Sequence, residues 1–197
     1  MALCLSKFNV SLTDFICANE NGRMNKRILG IDPGSRIAGY GVLEYSPQGE
    51  IFHIAHGALN VESKTDDFYQ RICRLGLQFR EVIELYKPQA VAVENIFLGK
   101  NADSAFKLGH ARGILTYEVM QRGIKVHEYS TRSIKKSVTG TGAADKEEVQ
   151  RVLRLLLKIP AVRPYDASDA LAVAYHHAVY EMTAARLQIR QRRMELR

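Results

Sequence analysis

Long apolar runs are missing from this chain. None approaches the ~20 residues that a membrane-crossing helix needs, so no membrane partner is expected. Cysteine is scarce as well: Cys4, Cys17 and Cys73 are odd in number and far apart. They lack the close pairing of a zinc site or the even count of a disulfide framework. They read as free thiols in a reducing compartment, which points to the cytoplasm. The opening MALCLSKFNVSLTDFICANE has no basic leader and is interrupted by Lys7 and Asp14, so no signal peptide is expected. No internal repeat and no second domain is visible. The 197 residues suffice for one domain with a sizeable core, since a chain of ~150 residues already buries about two-thirds of its surface.

What is present begins with charge. The net charge of +7 is concentrated in two places. Residues 186–197 carry Arg186, Arg190, Arg192, Arg193 and Arg197 against Glu195, and residues 122–158 carry nine Lys and Arg against four acids. The remainder is slightly acidic. Basic flanks around an acidic centre suit a polyanion whose reacting phosphate is held through metal. A basic tail that is only a solvated helix end is the plainer alternative.

Residues 1–25 show no clear periodicity and contain the turn cluster Asn19-Glu20-Asn21-Gly22, so they are read as a poorly ordered extension. Met24 stands just before the compact chain, and the first 23 residues could be an appended or misassigned start. A single α/β domain is expected over 26–186, followed by a basic tail over 187–197. RILGID, IAGYGVLEYS and EIFHIAHGALNV read as three strands in a meander, the last two joined by the turn Ser46-Pro47-Gln48-Gly49. Apolar residues at helical spacing predict a helix over 66–87. AVAVENIF reads as a fourth, fully buried strand, because both of its faces are apolar. A helix from Asn101 or Ala102 to about Gln121, a fifth strand IKVHEY, and helices near 131–138, 145–158 and 167–186 complete the pattern. The GTGAAD linker is mobile by composition. Strands first, then alternating strand and helix, then helices, indicate a layered α/β domain with a mixed sheet.

Four carboxylates carry the chemistry. Asp32 ends the first apolar strand, Glu94 closes AVAVE, and Asp166 and Asp169 stand three apart at the start of a helix, on one face. A charge at the end of a buried strand is costly unless something offsets it. Converging carboxylates would repel and hold protons; Mg²⁺, a hard cation that takes oxygen ligands, removes that conflict. Taken singly, each piece has a bland reading. Asp166-x-x-Asp169 fits N-capping plus a favourable macrodipole position, Glu94 fits an exposed strand rim, and Asp32-Pro33-Gly34 fits a turn. The combination favours a metal site, because two independent apolar strands each end in a carboxylate. Gly39 and Gly41 face the same way on one strand and admit a close backbone, either a packed helix or a nucleic acid strand. Phe97, on the loop after Glu94, could stack on a base. Lys100, Lys107, Arg112, Lys135, Lys136 and Lys146 are candidate phosphate contacts, although any one of them alone would read as a solvated cation. His176 and His177 are read as structural.

At GIDPGSRIAGYGV, VENIF…KNADSAFKLGHARG and DASDALAVAYHH the chain resembles the RuvC family of Holliday junction resolvases, crossover junction endodeoxyribonucleases, over about residues 26 to 180. The resemblance implies an α/β, RNase H-like fold, a five-stranded mixed sheet flanked by helices. It implies a Mg²⁺-dependent endonuclease with two ions per site, Mn²⁺ substituting, that acts as a homodimer on four-way DNA junctions. Such an enzyme nicks two strands of like polarity symmetrically during recombination and repair, beside the junction-binding RuvA and the motor RuvB. By matching position, Asp32, Glu94, Asp166 and Asp169 would be metal-binding and catalytic. Phe97 would act on bases near the crossover, Lys135 and Lys146 would serve near the scissile phosphate, and the helix of about 102–121 would form the dimer contact. The family's preference for a TT step would fall to Phe97 and its loop. The first 25 residues have no counterpart, and the Arg-rich tail is loosely matched.

Two readings from other classes compete. GIDPGSRIAGYGV could be the first phosphate hairpin of an actin- or sugar-kinase-like ATPase domain, but no second hairpin of that kind follows and little chain is left for a second lobe. A non-catalytic DNA-architectural module would be basic and dimeric, yet it would have no use for an acidic centre.

Overall fold

The structure is a computed structural model that describes residues 25–63, 65–95, 101–160 and 162–195. Residues 1–24 of the expected extension, together with Phe97 and Lys100, lie outside the described residues. Strands β1 (Lys26–Asp32), β2 (Ile37–Tyr45) and β3 (Ile51–Asn60) form the expected meander. The turn between β2 and β3 is closed by Gly49 N–H donating to the Ser46 carbonyl at 3.0 Å. Gly49 adopts φ 98° there, a conformation that favours glycine. Helix α1 (Phe68–Tyr86) leads to β4 (Ala90–Glu94), and α2 (Ala102–Met120) leads to β5 (Lys125–Tyr129). Helices α3 (Thr131–Thr139), α4 (Lys146–Leu157) and α5 (Tyr165–Glu195) follow.

The helix starts are set by side-chain caps. Asp67 and Gln70 make a reciprocal capping box on α1, while Asn101, Ser130 and Asp145 cap α2, α3 and α4; each satisfies an N–H that the helix itself leaves open. The five strands form one sheet in the order β3-β2-β1-β4-β5. β1 and β3 run antiparallel to β2, whereas β4 runs parallel to both β1 and β5. This is the mixed sheet expected from the sequence.

The alternation of side chains along each strand separates two cores. Leu29, Ile31, Val91 and Val93 face α1 and α2, where Phe79, Val82, Leu115 and Val119 meet them. Ile28, Leu43 and Ala92 face the other way, toward Leu171, Ala174, Ile134 and Leu153 of α5, α3 and α4.

Two boundaries differ from expectation. The basic stretch expected as a separate tail continues α5 through Glu195, because Ala, Leu, Gln and Arg are all good helix formers and nothing there breaks the helix. The GTGAAD segment, expected to be a mobile linker, is a bonded turn. Gly140 caps α3 with φ 82°, the Thr141 N–H donates to the Thr139 hydroxyl and the Ala143 N–H to the Thr141 hydroxyl, each at 3.3 Å, and Ala144 is buried in the core.

Candidate active site

Register places the first two carboxylates. Ile31 pairs with Val93 across the parallel β1–β4 ladder, so the next residue on each strand, Asp32 and Glu94, ends its strand at the same level. Ile31 and Val93 belong to the α1/α2 core. Alternation therefore sends Asp32 and Glu94 to the opposite face, the one that α5 covers.

Helix α5 reaches them because the sheet is bare beneath it. A Cβ at Gly30 would run into the main chain of Ala170 and Ala174, and one at Gly39 into the main chain of Asp166 and Ala167; Gly41 abuts Leu171 in the same way. Of the two uses weighed for Gly39 and Gly41, helix packing is the one found. With the helix seated so closely, its first turn comes to the end of β1. Asp166 is the second residue of α5, so it is not the N-cap, although it does hold the first-turn position that favours a negative charge. Asp169 accepts a hydrogen bond from Lys146 Nζ at 2.9 Å.

Asp32, Glu94 and Asp169 line a cleft of about 160 Å³, with Thr131, Lys135 and Lys146 on its walls. Asp166 does not line this cleft, but its charge reaches Asp32. The proton affinity of Asp32 reflects the crowding. Burial, followed by the charges of Asp169, Asp166 and Glu94, pushes its pKa up to about 7, and Lys146 only partly opposes this. The hydrogen bond to Asp169, with the charges of Asp169, Asp32 and Glu94, pushes the Lys146 ammonium up from its ordinary value.

The donors converge without closing into a ready-made cage: among the described residues, no three His, Cys, Asp or Glu side chains already form a metal cluster. Glu94 is held by the Thr131 hydroxyl and Asp169 by Lys146. The donor set nevertheless fits a hard divalent cation. It is all oxygen, and Asp32 is left with uncompensated negative neighbours that a cation would neutralise.

The basic candidates separate. Lys135 and Lys146 border the cleft, and Lys136 is exposed beside Lys135 on α3. Lys107 is paired with Asp103 on the surface of α2. Arg112 is turned inward, donating from Nη1 to the Glu94 main-chain carbonyl at 2.6 Å and pairing through Nη2 with Glu128 at 2.8 Å. His177 is buried and hydrogen-bonded to the Tyr129 hydroxyl at 2.7 Å, and His176 is bonded to Ser137, in keeping with a structural reading. Thr131 was not among the residues singled out from sequence. A threonine after a capping serine reads as part of a helix start, and only the fold brings it to Glu94.

Strand-end carboxylates under a crossing helix, on a five-stranded mixed sheet, define an RNase H-like nuclease. The model for crossover junction endodeoxyribonuclease RuvC matches residues 28–177. A crossover junction endodeoxyribonuclease RuvC of Bdellovibrio bacteriovorus is 54% identical over 159 residues, which is 81% of this chain and 93% of that one. The protein of the same name from Citrifermentans bemidjiense is 47% identical, covering 77% and 91%. The Thermus thermophilus RuvC structure in complex with a Holliday junction substrate superimposes with a TM-score of 0.75 at 31% identity, over 81% of this chain and 96% of that one. The chain belongs to the RuvC family of crossover junction endodeoxyribonucleases. Membership carries dependence on a divalent metal. The ATPase alternative finds no second lobe among the described residues, which form a single sheet.

Proposed function

We propose that this enzyme resolves four-way DNA junctions by paired, symmetric nicks during recombination and repair, with Asp32, Glu94, Asp166 and Asp169 as its metal-binding catalytic set. The observation that supports this most is the shared level of Asp32 and Glu94 on adjacent strands, facing Asp169 across a cleft walled by lysines. Two Mg²⁺ ions, with Mn²⁺ as substitute, would be held by these carboxylates and would supply an activated water and stabilisation of the leaving 3′ oxygen.

The chain's own residues do the rest. Asp32, crowded by three like charges, is the carboxylate with most to gain from a bound cation and would help to hold it. The Thr131 hydroxyl holds the Glu94 carboxylate in one orientation. Lys146 stands beside Asp169, where its ammonium can offset charge that builds on the reacting phosphate. Lys135 extends the same wall, and Lys136 and Lys107 are assigned to phosphates further out. Phe97 and Lys100 follow Glu94 closely in sequence and are assigned to the DNA near the crossover.

Homodimerisation through α2 suits a substrate with approximate two-fold symmetry, since two copies of one site can reach equivalent phosphates. RuvA and RuvB are the partners that membership suggests. The cytoplasm is the compartment, and no helix among the described residues is long and apolar enough to cross a membrane.

A panel of duplex, flap, RNA–DNA hybrid and four-way junction substrates, each with Mg²⁺ and with chelator, tests the proposal. Cutting confined to the junction and abolished by chelator is expected. Equal cutting of plain duplex, or junction cutting that survives chelation, would sink it.

A further inference from the structure

Glu94 occupies a precarious position. It is the last residue of β4, one past the final rung to β1 at Val93, and it lines the cleft together with the carboxylates of Asp32 and Asp169. Repulsion from those neighbours pushes it outward, and a strand end resists such a push poorly. Three contacts oppose it. The Thr131 hydroxyl bonds the carboxylate, the N–H of the following Asn95 donates to the Tyr129 carbonyl at 2.8 Å, and Arg112 Nη1 donates to the carbonyl of Glu94 itself at 2.6 Å.

Arg112 is built for this place. It lies three and seven residues before the buried Leu115 and Val119 on the inner row of α2, and only 17% of its side chain is exposed. Its planar fork spends one nitrogen on β4 and the other on Glu128 of β5 at 2.8 Å. A guanidinium can satisfy both at once, whereas an ammonium is a point charge. The side chain does not border the acidic cleft.

We propose that Arg112 is a positioning residue: it ties the end of β4 to α2 and β5 and so fixes the Glu94 carboxylate against the repulsion of its neighbours. The inference rests on the role given to Glu94 above. A one-ångström misplacement of a catalytic group costs about 100-fold in rate, so the clamp matters most in the chemical step.

The test uses Arg112→Lys and Arg112→Gln in the full chain, with Arg112→Lys deciding should the glutamine variant fail to fold. Hydrogen exchange of the metal-free protein is expected to quicken at the Asn95 amide in both. Single-turnover junction cleavage is expected to fall about 10-fold in Arg112→Lys and about 100-fold in Arg112→Gln, while junction affinity in chelator stays unchanged. Exchange and cleavage both at the level of the unaltered chain would overturn the proposal. So would a loss of junction affinity in step with cleavage, with a salt slope smaller by about one, because that is the signature of a phosphate contact. Glu94→Gln is measured alongside. If it cuts as fast as the unaltered chain, the fault lies in the role given to Glu94. An inert Glu94→Gln beside fully active Arg112 variants overturns the positioning role alone.

Discussion

Asp32 bears the largest electrostatic load of the acidic cleft, because burial and three like charges act on it together and raise its pKa to about 7. Asn replaces it with nearly the same shape and none of the charge. Asp32→Asn is therefore expected to abolish junction cleavage yet bind a junction as well as or better than the unaltered protein, since a negative group leaves the DNA face. In chelator at pH 8 the variant should also be the more stable, by about 1–3 kcal/mol, because the cost of confining that charge disappears. Gel-shift, cleavage and denaturant titration on the two proteins check all three. A variant that still cuts, or that loses junction binding, would contradict the assignment. The strand-end carboxylates were legible in the sequence because an apolar run that terminates in an acid is physically odd. The pair Asp166 and Asp169 was less so, since capping explains the same spacing. Thr131 and the inward turn of Arg112 were not legible at all. Both depend on which strand lies next to which, and nothing local to either residue records that.

Helix α5 is the element that assembles the site, and it does so by lying on glycine. A methyl group at position 39 would meet the main chain of Asp166, and main chain cannot move aside as a flexible side chain can. Gly39→Ala is expected to destabilise the fold by about 1–3 kcal/mol and to lower cleavage more than that loss explains, because the displaced turn carries Asp166 and Asp169. Cleavage measured well below the melting transition separates the two effects; unchanged cleavage there would show that the helix seat does not set the site. The same helix carries a pH dependence. His177 is buried against Tyr129, and burial, followed by the charge of His127, brings its pKa down to about 4 from an ordinary 6.5. His53 is lowered to about 4, first by burial and then by His56. Both are neutral when folded but take up a proton on unfolding near pH 6.5. Their stabilising effect is full above that pH and is lost as pH falls toward 4, up to roughly 3 kcal/mol for His177. Urea titrations of the Asp32→Asn protein from pH 7.5 to 4.5, in which the opposing titration of Asp32 is absent, should show stability falling across that window. Tyr129→Phe should cost about 1–3 kcal/mol already at pH 7.5, by leaving a buried nitrogen without its partner. Most elements were readable from periodicity and from Gly, Pro and capping residues. The end of α5 was not, because the Arg-rich stretch is amply helical by propensity yet looks like a tail by charge.

The exposed face of α2 has an outsized apolar content for a surface helix. Phe106 is 71% exposed, Tyr117 53% and Met120 58%, and Phe106, Gly109, His110, Gly113 and Tyr117 border a concavity of about 700 Å³. Large exposed apolar patches of this kind mark interaction sites, and glycines at positions 109 and 113 leave room for another backbone to approach. A second copy of the same helix would cover the patch on both partners at once, as an isologous contact requires. The opposite side of α2 is where Arg112 meets the Glu94 carbonyl at the end of β4, so the face assigned to the dimer and the residue that holds Glu94 share one rigid helix. In a dimer built on this face, each protomer would carry one cleft whose orientation is tied to the interface. Phe106→Glu places a charge in the centre of the patch, where the partner's own glutamate would oppose it. The variant is expected to sediment as a folded monomer at concentrations where the unaltered chain would be a dimer, because Phe106 contributes little to the protomer's own core, and its melting temperature should be lower and independent of protein concentration. On four-way junctions it should lose paired incision: nicks on the two strands should appear independently, and fully resolved product should fall by more than about tenfold. Retention of paired incision by a demonstrably monomeric Phe106→Glu protein would remove α2 from the account of how the two cuts are coordinated.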